Sequence, residues 1–235
     1  MEEVKEEKDL GVLVEDTMKP SKQCNAAAKS ANFALGQIQR AFHFRKKINL
    51  VPLYKTFVRP RLEHAVSAWN PWLESDIKCL EKIQERLIRM LSDVKGDTYE
   101  EKLKDAGLTT SKERRARGDM IQTFKVLKGF NQVSKENWFQ EIPENARPTR
   151  TNAVAEGGKV VKKQSVLQVE RARLETRRNF FSIRAAQQWN ELPEEVKNTT
   201  SINGFKNAYD RWRNNQHPIV DDDNPREERS ETELT

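Results

Sequence analysis

Four cationic side chains on one edge of a predicted helix are the residues best suited to binding chemistry. At about 100° per residue, four cations of a predicted helix over residues 111–128 fall on one arc beside its apolar face. The only acids on that helix are Glu113 and Asp119, which are too few to pair with all the cations. The arc suits a polyphosphate backbone, and pairing with acids on neighbouring helices is the alternative. Its members are Arg114, Arg117, Lys125 and Lys128.

Two further pairs of cations suit the same kind of partner. One pair flanks Pro60 in a predicted central helix over residues 50–70. The other ends a basic stretch over residues 145–178, which holds nine Lys or Arg against three Glu. A flexible basic stretch binds phosphates without sequence preference, although a merely disordered connection has the same composition. The two pairs are Arg59 with Arg61, and Arg177 with Arg178.

No group of residues has the pattern of a catalytic site. The sequence contains no Gly-rich phosphate loop, no metal-ligand cluster and no nucleophile motif. The three histidines are scattered at positions 43, 64 and 217. The three carboxylates of residues 221–223 lie in a tail where nothing preorganises them. We therefore predict that the chain is not an enzyme and has no cofactor or metal.

The charge of the chain is divided between acidic ends and a basic body. Residues 1–9 carry two Lys against five acids, and residues 220–235 carry two Arg against seven acids. Since the whole chain has a net charge of +6, the residues between these ends hold +14. A body of this kind favours a polyanion such as RNA or DNA. A well-solvated helical surface is the alternative explanation.

The composition also restricts the compartment. No run of apolar residues has the length of a membrane span. Two cysteines are too few for a disulfide framework or a zinc site. We expect a reducing compartment, which means the cytoplasm or the nucleus, and no membrane partner.

Apolar residues spaced by threes and fours predict a mainly α-helical fold, a helical bundle with one short N-terminal strand and a small C-terminal helical unit. The strand, residues 10–14, has no predicted partner. Pro60 should make the central helix kink or restart, and capping boxes are predicted at Asp97 with Glu100 and at Thr110 with Glu113. The predicted parts are residues 1–18, an acidic N-terminus with the strand; 19–130, the bundle; 131–170, a basic linker; 171–216, an aromatic helical unit; and 217–235, an acidic disordered tail.

An ordered series of motifs resembles the C-terminal part of non-LTR retrotransposon reverse transcriptases, in particular LINE elements of the chicken-repeat and jockey type. The resemblance covers about residues 7–213 and leaves out the acidic tail. The motifs are EKDLGVLVEDTMKPSKQC, LYKTFVRPRLEHAVSAWNP, DIKCLEKIQERLIRML, YEEKLKDAGL, KERRARGDMIQTFKVLKG and RNFFSIRAAQQWNELPEEV.

The resemblance implies a thumb-like bundle that follows the end of the palm domain. In such enzymes the LGV segment belongs to the last strand region of the palm, and the helices after it hold the template–primer duplex. The catalytic aspartates of the family lie upstream, on an aromatic-Ala-Asp-Asp hairpin that holds two magnesium ions. That tetrapeptide does not occur in this chain, so the resemblance is to a truncated, noncatalytic fragment.

Three hypotheses about function follow. The first is a noncatalytic fragment that binds an RNA or DNA duplex through phosphates, using the eight cations named above. In that case, replacing the four cations of residues 111–128 with Gln should weaken binding and leave folding nearly intact. The second is a helical protein–protein interaction module, domesticated from a retrotransposon, whose partners are acidic proteins. The third is a remnant with no selected function.

Overall fold

A computed structural model describes residues 5–143, 153–156, 159–162 and 166–216. Its first element is an antiparallel hairpin of β1 (Glu6–Asp9) and β2 (Val12–Glu15), with Glu7 opposite Val14. Leu10 and Gly11 form the turn, both with positive φ. The expectation of an unpartnered strand was wrong. Its partner is the charged EEKD segment, which has no apolar alternation to mark it as a strand.

The N-terminal bundle contains six helices and a short π-helix, and its core is mostly aliphatic. The longest helices, α1 and α5, pack on each other through small and branched side chains, including Ala27, Ala31 and Leu80. Small residues on α1 let the two helices approach closely, as the alanine-rich sequence indicates. The helices are α1 (Ser21–Ala41), α2 (Lys47–Leu53), the π-helix (Tyr54–Val58), α3 (Arg59–Glu63), α4 (Val66–Trp69), α5 (Glu74–Met90) and α6 (Tyr99–Asp105).

The predicted central helix is broken at two places. The first break is the π-helix before Pro60, where the Arg59 N–H donates to the carbonyl of Tyr54, five residues back. This confirms the predicted restart at the proline, which has no N–H to continue the regular pattern. The second break was not predicted, and it lies at Ala65, whose φ of 50° is left-handed.

Helix α7 (Ser111–Leu127) connects the two halves of the molecule. It begins at a capping box in which Thr110 accepts from the Glu113 N–H at 3.2 Å, as the sequence predicts. The preceding box is one residue away from its predicted position, because Thr98 and Glu101 cap α6. The apolar face of α7 joins the C-terminal unit through Met120 and Phe124.

The C-terminal unit has a core of stacked aromatic rings. Phe205 stacks on Phe124 with ring centroids 4.4 Å apart and on Trp189 at 6.0 Å. These rings are buried in the core, as their helical spacing predicts. The unit consists of a 3-10 helix (Lys135–Asn137), α8 (Glu175–Arg178), α9 (Phe181–Glu191), α10 (Glu194–Lys197) and α11 (Ile202–Gln216).

The predicted basic linker contains ordered structure. A second antiparallel hairpin pairs β3 (Ala153–Glu156) with β4 (Lys159–Lys162). Leu167 is buried, and its backbone exchanges two hydrogen bonds of 2.8 Å with the Asn190 side-chain amide. The sequence predicted only a basic linker over residues 131–170, so this hairpin and this buried contact were not anticipated. The predicted tail, residues 217–235, lies outside the described residues.

Candidate nucleic-acid interface

The two N-terminal cations of the predicted arc on α7 hold helices together. Arg114 binds both carboxylate oxygens of Glu63 on α3, with Nη2 to Oε2 at 2.9 Å. Arg117 does the same with Asp210 on α11, at 2.7 Å for both contacts, and these hydrogen bonds raise the pKa of the Arg117 guanidinium. For these two residues the alternative, pairing with acids on neighbouring helices, is confirmed.

The two C-terminal cations of the arc differ from the first two. The side chains of Lys125 and Lys128 have no hydrogen-bond or ion-pair partner among the described residues. Lys128 follows the last turn of α7 and is exposed. The arc is therefore continuous in the sequence but divided in the structure, because acids of other helices reach only its N-terminal half.

The predicted cations of the C-terminal unit are also divided. Arg177 forms an ion pair of 2.8 Å with Glu170 and lies over the Phe180 ring, 5.2 Å from its centroid. Arg178 is exposed, and its side chain has no partner in the described part of the chain. Neither residue lines the cleft described below.

Arg59 lies beside a wide cleft and is incompletely satisfied. Its guanidinium lies over the Tyr54 ring at 5.6 Å, and its buried Nε has no hydrogen-bond partner. Burial lowers the pKa of Arg59, and the positive charge of Arg114 lowers it further. Lys55 has the same direction of shift, since burial and the charges of Arg59 and Arg114 lower its pKa. These side chains repel one another in a partly dehydrated site.

The cleft has a volume of about 790 Å³ and lies between the π-helix, α6, α7 and α11. Three of its cations are neutralised, since Glu63 pairs with Arg114, Asp210 with Arg117, and Glu113 with Arg213. The other three have no carboxylate within ion-pair distance among the described residues. Its lining cations are Lys55, Arg59, Lys104, Arg114, Arg117 and Arg213, and its acids are Glu100, Glu113 and Asp210.

Local chain geometry positions these groups. The π-helix and the restart at Pro60 direct Lys55 and Arg59 to one side of the cleft. The capped first turn of α7 also lines the cleft, and Arg213 fixes α11 to it by binding the Glu113 carboxylate at 2.7 Å and its carbonyl at 3.2 Å. The helices of the fold therefore define the cleft, which does not depend on mobile side chains alone.

Of the eight predicted residues, the cleft brings together Arg59, Arg114 and Arg117. The other five do not line it. Sequence reasoning missed Lys55, which precedes Arg59 by four residues, a spacing that could have revealed it. It also missed Lys104 and Arg213, for which no local signal exists because tertiary packing brings them here.

The arrangement can bind anions, and the described residues show no group of three or more His, Cys, Asp or Glu able to hold a metal ion. In the same residues, no helix is both long and apolar enough to cross a bilayer. The chain matches no known protein family, no curated protein and no solved structure at a significant level of similarity.

Proposed function

We propose that this chain is a noncatalytic, thumb-like fragment of a LINE-type RNA-directed DNA polymerase that binds the phosphates of a nucleic-acid duplex in the cationic cleft. The single observation that carries the proposal is the unneutralised charge of Arg59 and its neighbouring cations in the cleft. Lys55, Arg59 and Lys104 line one cleft without a carboxylate partner, and the Arg59 Nε is buried without any acceptor. A phosphate group supplies the negative charge that these three cations lack.

The chemistry of the cleft favours a backbone over a base as the bound group. Guanidinium and ammonium groups are donors without acceptors, and they match phosphate oxygens. Contacts to phosphates carry no sequence information, so binding should be independent of sequence. RNA and DNA duplexes both present the required groups.

The proposal includes no polymerisation. Extension of a primer requires metal-bound carboxylates that activate the primer hydroxyl and stabilise the developing charge. The resemblance places such carboxylates on an aromatic-Ala-Asp-Asp hairpin, which this sequence does not contain. The two free thiols, Cys24 and Cys79, support a reducing location in the cytoplasm or nucleus.

The test is the salt dependence of duplex binding, followed by fluorescence anisotropy of a labelled DNA or RNA duplex. Each phosphate contact contributes roughly one unit to the slope of log K against log salt. The variant Lys55→Gln with Arg59→Gln should therefore reduce the slope by about two units. The matched control is Lys78→Gln with Arg89→Gln, which removes two exposed cations of α5 outside the cleft.

An unchanged slope in the cleft variant would reject the cleft as the contact site. The interaction-module hypothesis predicts a different pattern, because acidic side chains of a protein would take the place of phosphates. It gains support if the chain fails to bind duplex at low salt but binds an acidic protein that the same cleft variant releases. Arg114 and Arg117 show that cations of this fold bind carboxylates from other helices.

A further inference from the structure

A second surface of the N-terminal bundle combines exposed rings with unneutralised cations. Residues 21–62 contain nine Lys or Arg and no Asp or Glu. All four phenylalanines of this stretch are exposed: Phe33 at 64%, Phe42 at 42%, Phe44 at 78% and Phe57 at 55%. We refer to the exposed cations and phenylalanines of residues 21–62, except Lys55 of the cationic cleft, as the acid-free surface.

Acids from elsewhere neutralise only part of this stretch. Lys22 pairs with Glu6 and Glu15 of the N-terminal hairpin, and Lys47 pairs with Asp105. Apart from Lys55, which lines the cationic cleft, five exposed cations have no carboxylate within ion-pair distance among the described residues. These are Lys29, Arg40, Arg45, Lys46 and Arg61.

Arg61 links the backbone of one exposed phenylalanine to the helix that carries another. Its Nε donates to the carbonyl oxygen of Phe57 at 3.1 Å, and its Nη1 donates to the hydroxyl of Ser30 on α1 at 2.9 Å. Phe33 is one helical turn beyond Ser30, on the same side of α1. The guanidinium plane is thus held between the π-helix and α1, while Nη2 has no partner in the described part of the chain.

The fixed position of Arg61 has a consequence for binding. A free arginine side chain loses about 2 kcal/mol of rotamer entropy when it is immobilised. Here two hydrogen bonds within the fold already restrict the side chain, although it is exposed. Its remaining donor and its planar face are therefore available to a ligand at a smaller entropic cost.

We propose that the acid-free surface binds unpaired bases of single-stranded nucleic acid, which stack on Phe33 and Phe57 while Arg61 holds the phosphate between them. Exposed aromatic rings among unneutralised cations form the combination that single strands use, since every base has a face that can stack. A duplex keeps its bases inside its own stack, so this surface discriminates in favour of unpaired strands. This surface is separate from the cationic cleft, and the inference does not require duplex binding there.

The experiment compares the chain with two ring variants, using a fluorescein-labelled 20-mer of deoxythymidylate and a 20-base-pair duplex. Phe33→Leu with Phe57→Leu keeps the surface apolar but removes the faces for stacking. Phe33→Trp with Phe57→Trp keeps those faces. We expect the Leu variant to bind the single strand at least about tenfold more weakly, the Trp variant to bind it as tightly as the original chain, and both to bind duplex within about twofold of the original chain.

Any of three results would overturn the inference. If the Leu variant binds the single strand as tightly as the original chain, or if the original chain does not bind it, the rings are not stacking platforms and serve as a protein contact. If the Leu variant loses single-strand and duplex binding equally, the surface does not recognise unpaired bases. Circular dichroism and thermal unfolding check that each variant is folded. Failure of duplex binding alone would reject the cleft proposal and leave this one standing.

Discussion

The cations of the acid-free stretch and those of α7 and its neighbours have different roles. In residues 21–62 most exposed Lys and Arg have no carboxylate partner among the described residues. In the region of α7, α9 and α11, Arg114, Arg117, Arg184 and Arg213 each bind an acid from another helix. Similar side chains therefore hold the fold together in one region and are available to ligands in the other.

Arg184, which pairs with the buried Asp119, is the clearest case of a cation that holds the fold together. Arg184 donates to both oxygens of Asp119, at 2.9 and 3.2 Å, and to the carbonyl of Ser67 at 2.6 Å. Asp119 is fully buried, and Asn70 also donates to it. This network joins α7 and α9 to the chain around α4, and so connects the bundle with the C-terminal unit.

The largest expected effect comes from breaking that pair. Arg184→Ala leaves the Asp119 carboxylate buried without its main partner, which should cost about 3–5 kcal/mol of unfolding free energy. The control is Arg61→Ala on the acid-free surface, where the side chain is exposed and the cost should stay below about 1 kcal/mol. Urea unfolding followed by circular dichroism measures both. Equal losses of unfolding free energy in the two variants would contradict the difference between the cations of the two regions.

The next effect concerns duplex binding. Lys55→Gln with Arg59→Gln should weaken it by at least about tenfold at low salt, since each removes a cation that has no carboxylate partner among the described residues. Arg114→Gln with Arg117→Gln should weaken it less, because these cations are already neutralised by Glu63 and Asp210. The relevant measurement is the dissociation constant of both variants for one duplex. A larger loss of duplex affinity in the variant of Arg114 and Arg117 would mean that these neutralised cations are the main duplex contacts.

A smaller effect should appear in stability for the pair of Arg117 and Asp210. These side chains are partly exposed, so solvent screening limits their coupling to about 1 kcal/mol or less. A double-mutant cycle with Arg117→Gln and Asp210→Asn isolates that coupling. The sequence analysis expected folding to stay nearly intact when all four cations of the α7 arc are replaced with Gln. Because Arg114 and Arg117 form ion pairs, we now expect that variant to be less stable. A coupling energy of zero would support the original expectation.

The smallest effect concerns the acidic tail, which lies outside the described residues. Residues 220–235 carry seven acids against two Arg, and they follow α11, whose Arg213 and Asn214 line the cleft. Deleting them should tighten duplex binding by about threefold at low salt, because the deleted charges compete with phosphates for nearby cations. The effect should vanish at high salt. Weaker binding after deletion would mean that the tail contributes contacts of its own.

The sequence by itself determined much of the fold. Helical spacing predicted the mainly α-helical architecture, the box at Thr110 and Glu113 marked the start of α7, and Pro60 marked the restart before α3. The aromatic spacing of α9 and α11 also predicted a core. These features are local, since they depend on side chains within a few residues of one another. The β1 strand escaped prediction because its charged residues show no apolar alternation, although their backbone pairs with β2.

Only the tertiary structure decided which cations are available to a ligand. Arg114 and Lys125 belong to one arc of one helix, yet Arg114 meets Glu63, 51 residues away in the chain, while no described acid reaches Lys125. Arg117 finds Asp210 at a separation of 93 residues. The state of a charged side chain depends on every charge within a few ångströms. The positions of those charges depend on helix packing, which a local pattern does not specify.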